Sequence, residues 1–191
     1  MEATVDRLKD LYARIDAQTE AFARASGLCC PAGCGACCLS PEVEATELEM
    51  EWMAEHLLEQ GLAEAVLERI AASGTPSPCV LYVPEAGNPR QGRCGHYGQR
   101  PVLCRLFAFA AVQDKTGRAR LAACRVHREE QPEAAEAAVR AVEEGTLPVP
   151  LFAAAARGLL DIDPERGALR LPINAALRGA LARVMARAVG R

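Results

Sequence analysis

Val5, Leu8, Leu11, Tyr12, Ile15, Thr19 and Phe22 recur at spacings of three and four, which places one stripe on a helix over residues 3–25 that ends near Gly27. Further along, Thr46-Glu47-Leu48-Glu49 has the T-x-x-E form of a capping box and precedes Met50, Trp52, Met53, Leu57 and Leu58. That pattern predicts a helix from about residue 47 to Gln60, stopped by Gly61. A second short helix follows over Leu62–Ala72, and Val80–Val83 reads as a short strand. Residues 84–95 are rich in Gly, Pro and Asn and read as loop. Leu103–Val112 and Arg118–Ala123 flank Asp114-Lys115-Thr116-Gly117, which reads as a hairpin turn or a helix break, the hairpin being favoured. Helical patterns then cover residues 132–144, 151–160 and 175–188, with Leu147-Pro148-Val149-Pro150 as a turn.

Between the first two helices the pattern breaks at Cys29-Cys30-Pro31-Ala32-Gly33-Cys34-Gly35-Ala36-Cys37-Cys38. Glycine and proline oppose a regular helix here and let the backbone wrap tightly. The expected architecture is a single metal-organised domain over 1–191, mainly α, with irregular cysteine-rich loops and a short β-hairpin. Residues 1–28 form its N-terminal helix, 29–128 its cysteine-cluster core, and 129–191 a helical C-terminal extension without a polar cluster.

Composition agrees with helices. Half the residues are hydrophobic, but only eight are aromatic, too few for a sandwich built on aromatic and branched strands. No apolar run approaches the ~20 residues of a membrane span, and Met1–Asp10 are charged where a secretory signal would be apolar. The expectation is a soluble cytoplasmic protein that does not engage a membrane. Nine cysteines in 191 residues are sparser than in a secreted disulfide scaffold, and in a reducing compartment metal explains them better. The net charge of -3 hides an asymmetry: residues 90–128 hold nine basic side chains against Asp114 alone, a balance of +8.

Cys30, Cys34, Cys37 and Cys38 form C-x3-C-x2-C-C, whose spacings let thiolates converge on one ion or cluster while glycines admit N–H contacts to sulfur. Adjacent Cys37 and Cys38 point in different directions, so the loop can serve two sites or place one sulfur beside a site without ligating it. A second group, Cys79, Cys94, Cys104 and Cys124, is spread along the chain and centres on Cys94-Gly95-His96-Tyr97-Gly98-Gln99-Arg100-Pro101-Val102-Leu103-Cys104-Arg105. Pro78-Cys79, this C-x-x-Y-x-x-R-P-x-x-C-R-x-F string and the preceding C-x3-C-x2-C-C resemble the YkgJ-type cysteine-cluster family, the CxxxCxxCC proteins. The resemblance runs from about Cys30 to Cys124. It implies a zinc- or iron-chelating domain, often with iron–sulfur oxidoreductase chemistry, and carries eight metal-ligating cysteines onto Cys30, Cys34, Cys37, Cys38, Cys79, Cys94, Cys104 and Cys124. Cys29 is extra to that pattern, and His96 stands where the family usually has an aliphatic residue.

Eight thiolates divide into two four-sulfur sites, and the expectation is that both groups gather in one region. A tetrathiolate zinc or a thiolate-bound [4Fe-4S] centre carries about -2, so the basic segment can compensate the charge and donate N–H groups to sulfur. Arg100 and Arg105, inside the recognised string, are the candidates for that role, with Tyr97 shaping the site; Arg118, Arg120 and Arg128 read equally well as a solvated face. Nucleic acid is disfavoured by the negative overall charge and the scarcity of stacking residues. His127 follows Cys124 at C-x2-H and His96 follows Cys94 at C-x-H, while His56 lies mid-helix. With eight cysteines at hand, each histidine is expected to support a site from outside or to lie on the surface.

The leading functional expectation is an iron–sulfur protein, [4Fe-4S] in type, acting in electron transfer or cluster-assisted redox chemistry. With no nucleotide or flavin loop in the sequence, it needs a redox or client protein partner. The alternative is a structural or chelating zinc protein without catalysis. A lesser one is a radical S-adenosylmethionine-like or methyl-transfer enzyme. Cys30-x3-Cys34-x2-Cys37 has the radical triad spacing, and a similar cysteine motif appears in flagellin lysine methylases. Against it, the βα repeats of a barrel are missing and Ala36 occupies the usual aromatic position.

Overall fold

A computed structural model describes residues 2–190, without the side chains of Glu2 and Arg90. Met1 of the N-terminal pattern and the Arg90 side chain of the basic segment therefore lie outside the described residues. Helix α1 (Glu2–Ser26) buries the whole predicted stripe from Val5 to Phe22. Thr19 belongs to it because its hydroxyl donates to the carbonyls of Ile15 and Asp16 at 3.1 and 3.0 Å. Gly27 ends the helix in the left-handed region at φ 72°, the conformation glycine adopts without steric cost.

The cysteine run is irregular as far as Gly35 and then closes into one helical turn, α2 (Ala36–Leu39). The expected irregularity thus stops where the glycines and proline stop. After β1 (Glu44–Thr46) the capping box forms: the Thr46 amide donates to Glu49 Oε2 at 2.7 Å, and the Glu49 amide donates to Thr46 Oγ1 at 3.1 Å. Residues 47–50 are turns, so α3 (Glu51–Glu59) starts later than the pattern predicts. Helix α4 (Ala63–Ala72) follows Gly61, which has φ 67°.

The stretch 84–95 is a correction. It belongs to an antiparallel hairpin, β2 (Tyr82–Glu85) with β3 (Asn88–Cys94), in which Tyr82 pairs with Cys94 and the register shifts between Pro84 and Glu85. A 3-10 turn (Tyr97–Gln99) leads to α5 (Val102–Leu106), so the segment before the second hairpin begins as helix. That hairpin is β4 (Ala111–Gln113) with β5 (Ala119–Leu121). Its turn is held by the Asp114 carboxylate, which accepts from the Thr116 amide and hydroxyl and from the Arg118 amide; these bonds bring its pKa down to about 2. The remainder is α6 (Arg125–Glu130), α7 (Pro132–Glu143), α8 (Phe152–Ile162), β6 (Arg170–Pro172) and α9 (Ile173–Val189). The protein is mainly α-helical with short antiparallel strand pairs. Among the described residues, no helix is long and apolar enough to cross a membrane.

The chain divides into two compact units. The first takes the chain up to Lys9, Gly33–Pro101 and the chain from Leu159. In it α9 packs on α3 and α4, and β1 pairs with β6, Ala45 opposite Leu171. Its core holds Leu48, Met50, Met53, Leu57, Leu177 and Leu181, with the carboxylate of Glu51, 1% exposed, paired to Arg166 and Arg187. The second unit takes Asp10–Ala32 and Val102–Gly158. Here Phe22, Leu28, Ala111, Leu121, Ala135, Ala138 and Val142 form one cluster, the small side chains of α7 letting it lie close against β5.

Candidate metal centre

In the first unit three segments bring cysteines together. The loop before α2 is tied to the β2–β3 hairpin by the Gly92 amide donating to the Gly33 carbonyl at 3.0 Å. The approach is too close for side chains: a Cβ on Gly35 would overlap the Tyr82 ring and the Gly92 carbonyl, and one on Gly92 would overlap Tyr82 and the Val83 carbonyl. The Cys79 amide donates to the Cys38 carbonyl at 3.1 Å, drawing the third segment in. Asn174 of α9 fixes that segment from the other side. Its Nδ2 donates to Ser77 Oγ and the Pro78 carbonyl, and its Oδ1 accepts the Val80 amide, so the backbone on both sides of Cys79 is held.

The sulfurs of Cys37, Cys38, Cys79 and Cys94 consequently feel one another. Cys37, Cys79 and Cys94 each push the Cys38 thiol up, and Cys37 does the same to Cys79 and Cys94. The hydrogen bond from Cys38 brings Cys37 down to about 6, with help from Arg100 and the amides of Cys37 and Cys38, so Cys37 is a thiolate at neutral pH. Its partner Cys38 is driven well above the ordinary thiol range by the same hydrogen bond and by burial. Burial raises Cys79 to about 11 and raises Cys94 as well. Two backbone amides oppose this: Leu81 donates toward Cys79 sulfur and His96 toward Cys94 sulfur, each two residues past its cysteine. Amides so placed stabilise sulfur as thiolate. Cys34, partly buried in the same unit, adds to the negative environment of Tyr82.

Among the described residues no group of three Cys, His, Asp or Glu side chains already stands as a ligand set for one ion. The donors nonetheless fit a thiophilic cation. Ionising any one of these four sulfurs makes ionising the others harder, so a cation placed among them would favour all four as thiolates, and backbone amides already meet two of them.

Cys29, Cys30, Cys104 and Cys124 lie in the second unit. Cys29 and Cys30 are exposed, whereas Cys104 on α5 and Cys124 at the N-cap of α6 are half-buried. Cys29 is engaged through its backbone: its amide donates to Gln131 Oε1 at 3.1 Å and its carbonyl accepts from Gln131 Nε2 at 2.6 Å. His127, fully buried, has Nε2 4.0 Å from Cys30 Sγ, a proximity that the C-x2-H spacing from Cys124 did not reveal.

The other sequence candidates take different places. Arg100 is the positive charge that helps hold Cys37 as thiolate; its Nε donates to the Tyr97 carbonyl at 2.9 Å and its guanidinium stacks 3.3 Å from the ring centre of Tyr97, which is 62% exposed. Arg105 is buried, pairs with Asp16 and lies over the Tyr12 ring, tying α5 and its Cys104 to α1. Arg120 pairs with Asp114 and Glu143. His96 packs edge-on against His56 with centroids 5.3 Å apart, and burial, His56 and Arg69 lower its pKa, so it is neutral at pH 7.

No curated protein and no solved structure matches the chain. A family model does, over a span that begins just before the first cysteine and ends in α7, enclosing every cysteine described above. By that match to residues 28–138 the chain belongs to the CxxCxxCC family, described as "Putative zinc- or iron-chelating domain".

Proposed function

We propose that the protein is an iron–sulfur protein, with a centre of the [4Fe-4S] type, that works in electron transfer or cluster-assisted redox chemistry. The observation that supports this most is the set Cys37, Cys38, Cys79 and Cys94, which the Gly33–Gly92 and Cys38–Cys79 backbone hydrogen bonds bring together from three segments, close enough for the sulfurs to shift one another's titration. When bound there, an iron–sulfur centre supplies a one-electron couple. The chain's own groups hold and tune it. The Leu81 and His96 amides and the Arg100 guanidinium favour extra negative charge on the sulfurs, the direction that raises a reduction potential. Asn174 and the Gly33–Gly92 contact keep the three segments in register.

Electrons come from or go to a protein partner, and neither nucleic acid nor a membrane is the target. A cytoplasmic location fits a chain whose cysteines serve as metal ligands rather than as a disulfide framework. A second reading, a closed zinc tetrathiolate without catalysis, is favoured by the burial of Cys79 and the amides placed two residues after Cys79 and Cys94, an arrangement that serves a single ion equally well. Anaerobic purification with iron, zinc and acid-labile sulfide quantification separates the two. Iron and sulfide in equal amounts with a brown colour support the first reading; colourless stoichiometric zinc supports the second.

A further inference from the structure

Charge is segregated along the stretch of chain that carries the first unit's cysteines. Residues 42–68 hold nine carboxylates and no lysine or arginine, a balance of -9. Residues 69–101 hold Arg69, Arg90, Arg93 and Arg100 against Glu85 alone, a balance of +3. A molecule that approaches the β2–β3 hairpin therefore meets positive charge, although the whole chain carries -3.

Within the hairpin Val83 pairs with Arg93, and Tyr82 pairs with Cys94. Directly opposed residues share a face of a sheet and successive residues alternate between faces, so Val83 and Arg93 stand together on the face away from Tyr82. The Tyr82 face is the covered one, its ring lying against Gly35 and Gly92, while Val83 is 45% exposed and Arg93 is exposed as well. Past half-buried Cys94 the chain stays beside the same strand: the Gly95 amide donates to the Leu81 carbonyl at 2.9 Å, and a Cβ on Gly95 would stand 3.1 Å from Val83 Cγ2. Two residues further on comes Tyr97, exposed, with the Arg100 guanidinium stacked on its ring.

Single exposed apolar side chains need no explanation. Here an aromatic ring and a branched side chain are flanked by arginines within a few residues of a candidate metal ligand. Tyrosine and arginine are the residues enriched at protein interfaces, where lysine is depleted, and residues 79–101 contain no lysine. The Tyr97–Arg100 stack already exists in the unbound chain, so docking on it costs little further ordering of either side chain. We propose that Val83, Arg93, Tyr97 and Arg100 form the surface on which an acidic one-electron carrier protein docks, Cys94 being the candidate ligand that lies within it. This rests on the reading of the chain as an iron–sulfur protein and names the chemistry of its partner. One electron crosses, one centre being oxidised as the other is reduced, and no bond or proton has to move.

The test uses two small electron carriers of opposite charge, the acidic blue-copper protein plastocyanin and the basic cytochrome c, titrated calorimetrically into the anaerobically purified chain. Plastocyanin is expected to bind, its affinity falling about tenfold as KCl rises from about 20 to about 200 mM. Arg93→Glu should weaken plastocyanin about tenfold and leave cytochrome c bound no more weakly than before. Arg170→Glu makes the same charge change at an exposed position on β6, which pairs with β1 in a different sheet, and should leave plastocyanin within about twofold of the parent. Stopped-flow oxidation of the dithionite-reduced chain by plastocyanin should slow in Arg93→Glu and not in Arg170→Glu. Equal losses from the two variants would make net charge the cause and overturn the surface. A reducible centre in a chain that does not bind plastocyanin, or binds it without regard to Arg93, also overturns the surface and leaves the iron–sulfur reading standing. Arg93-dependent binding by a chain with no centre that dithionite reduces supports the surface and refutes that reading instead.

Discussion

Replacing Cys38 with alanine removes the hydrogen bond that does most to hold Cys37 as a thiolate, and leaves Arg100 and the two amides in place. The fall from an ordinary 9.0 to about 6 corresponds to about 4 kcal/mol in favour of the thiolate, an upper bound because Cys37 is only partly buried. The folded pKa lies below the ordinary one. The stabilisation is therefore complete above about pH 9 and is lost as pH falls through about 6. With Cys38 gone, the Cys37 midpoint should move back up toward the ordinary thiol range, which at pH 7 cuts the thiolate fraction, and with it the alkylation rate, several-fold. Arg100→Met should raise it by less, since the Arg100 charge is a smaller cause than the Cys38 hydrogen bond. The assay is iodoacetamide labelling across pH 4–10 on chelator-treated chain, Cys37 being followed by peptide mass. A Cys37 midpoint near 8.5 in the parent, or one that Cys38→Ala leaves in place, would refute the reasoning.

Glu51→Ala leaves Arg166 and Arg187 without their shared buried carboxylate and should cost about 3 kcal/mol in urea unfolding followed by circular dichroism; a change below about 1 kcal/mol would mean the ion pairs are replaceable. Gly92→Ala pushes a methyl group into Tyr82 and the Val83 carbonyl, so metal content should drop several-fold while helical content stays near that of the parent. Cys29→Ser should keep its full metal content, because Cys29 is held to Gln131 by backbone groups that serine retains; equal losses from Cys29→Ser and Cys30→Ser would make Cys29 a ligand.

What the sequence discloses follows from how local each feature is. The α1 stripe, the Thr46–Glu49 box and the Asp114–Gly117 turn are written in contiguous residues; the stripe and the turn appear as their patterns predict, and the box makes both of its hydrogen bonds although α3 begins only at Glu51. The β2–β3 hairpin is not legible, because Pro84, Gly87, Asn88 and Pro89 carry loop chemistry. Its pairing is fixed by packing of Gly92 and Gly35 around Tyr82, which no window of sequence contains. Strand β1 finds its partner β6 more than a hundred residues away, over three residues each, too short for a periodic signal. Glu51 reads as an ordinary exposed helix acid until its two arginines arrive from distant segments.

The candidate site divides the same way. Cysteine spacing and the string from Cys94 to Phe107 single out the candidate ligands, since coordination chemistry constrains short spacings directly. How Cys30 comes to share a unit with Cys104 and Cys124 while Cys34, Cys37 and Cys38 share one with Cys79 and Cys94 depends on where the chain passes between units at Ala32 and Gly33. The burial of His127 is likewise tertiary. The one local clue was its distance of three residues from Cys124, and with eight cysteines available that clue carried little weight.

The central claim, that clustered thiolates of this chain hold an iron–sulfur centre, is tested most directly by purifying the protein without oxygen and measuring iron, zinc and acid-labile sulfide per chain in the parent and in Cys37→Ser. The account predicts a brown protein with iron and sulfide in equal amounts, and loss of at least half of both on substitution. Zinc in place of iron, or metal content indifferent to Cys37→Ser, would contradict it.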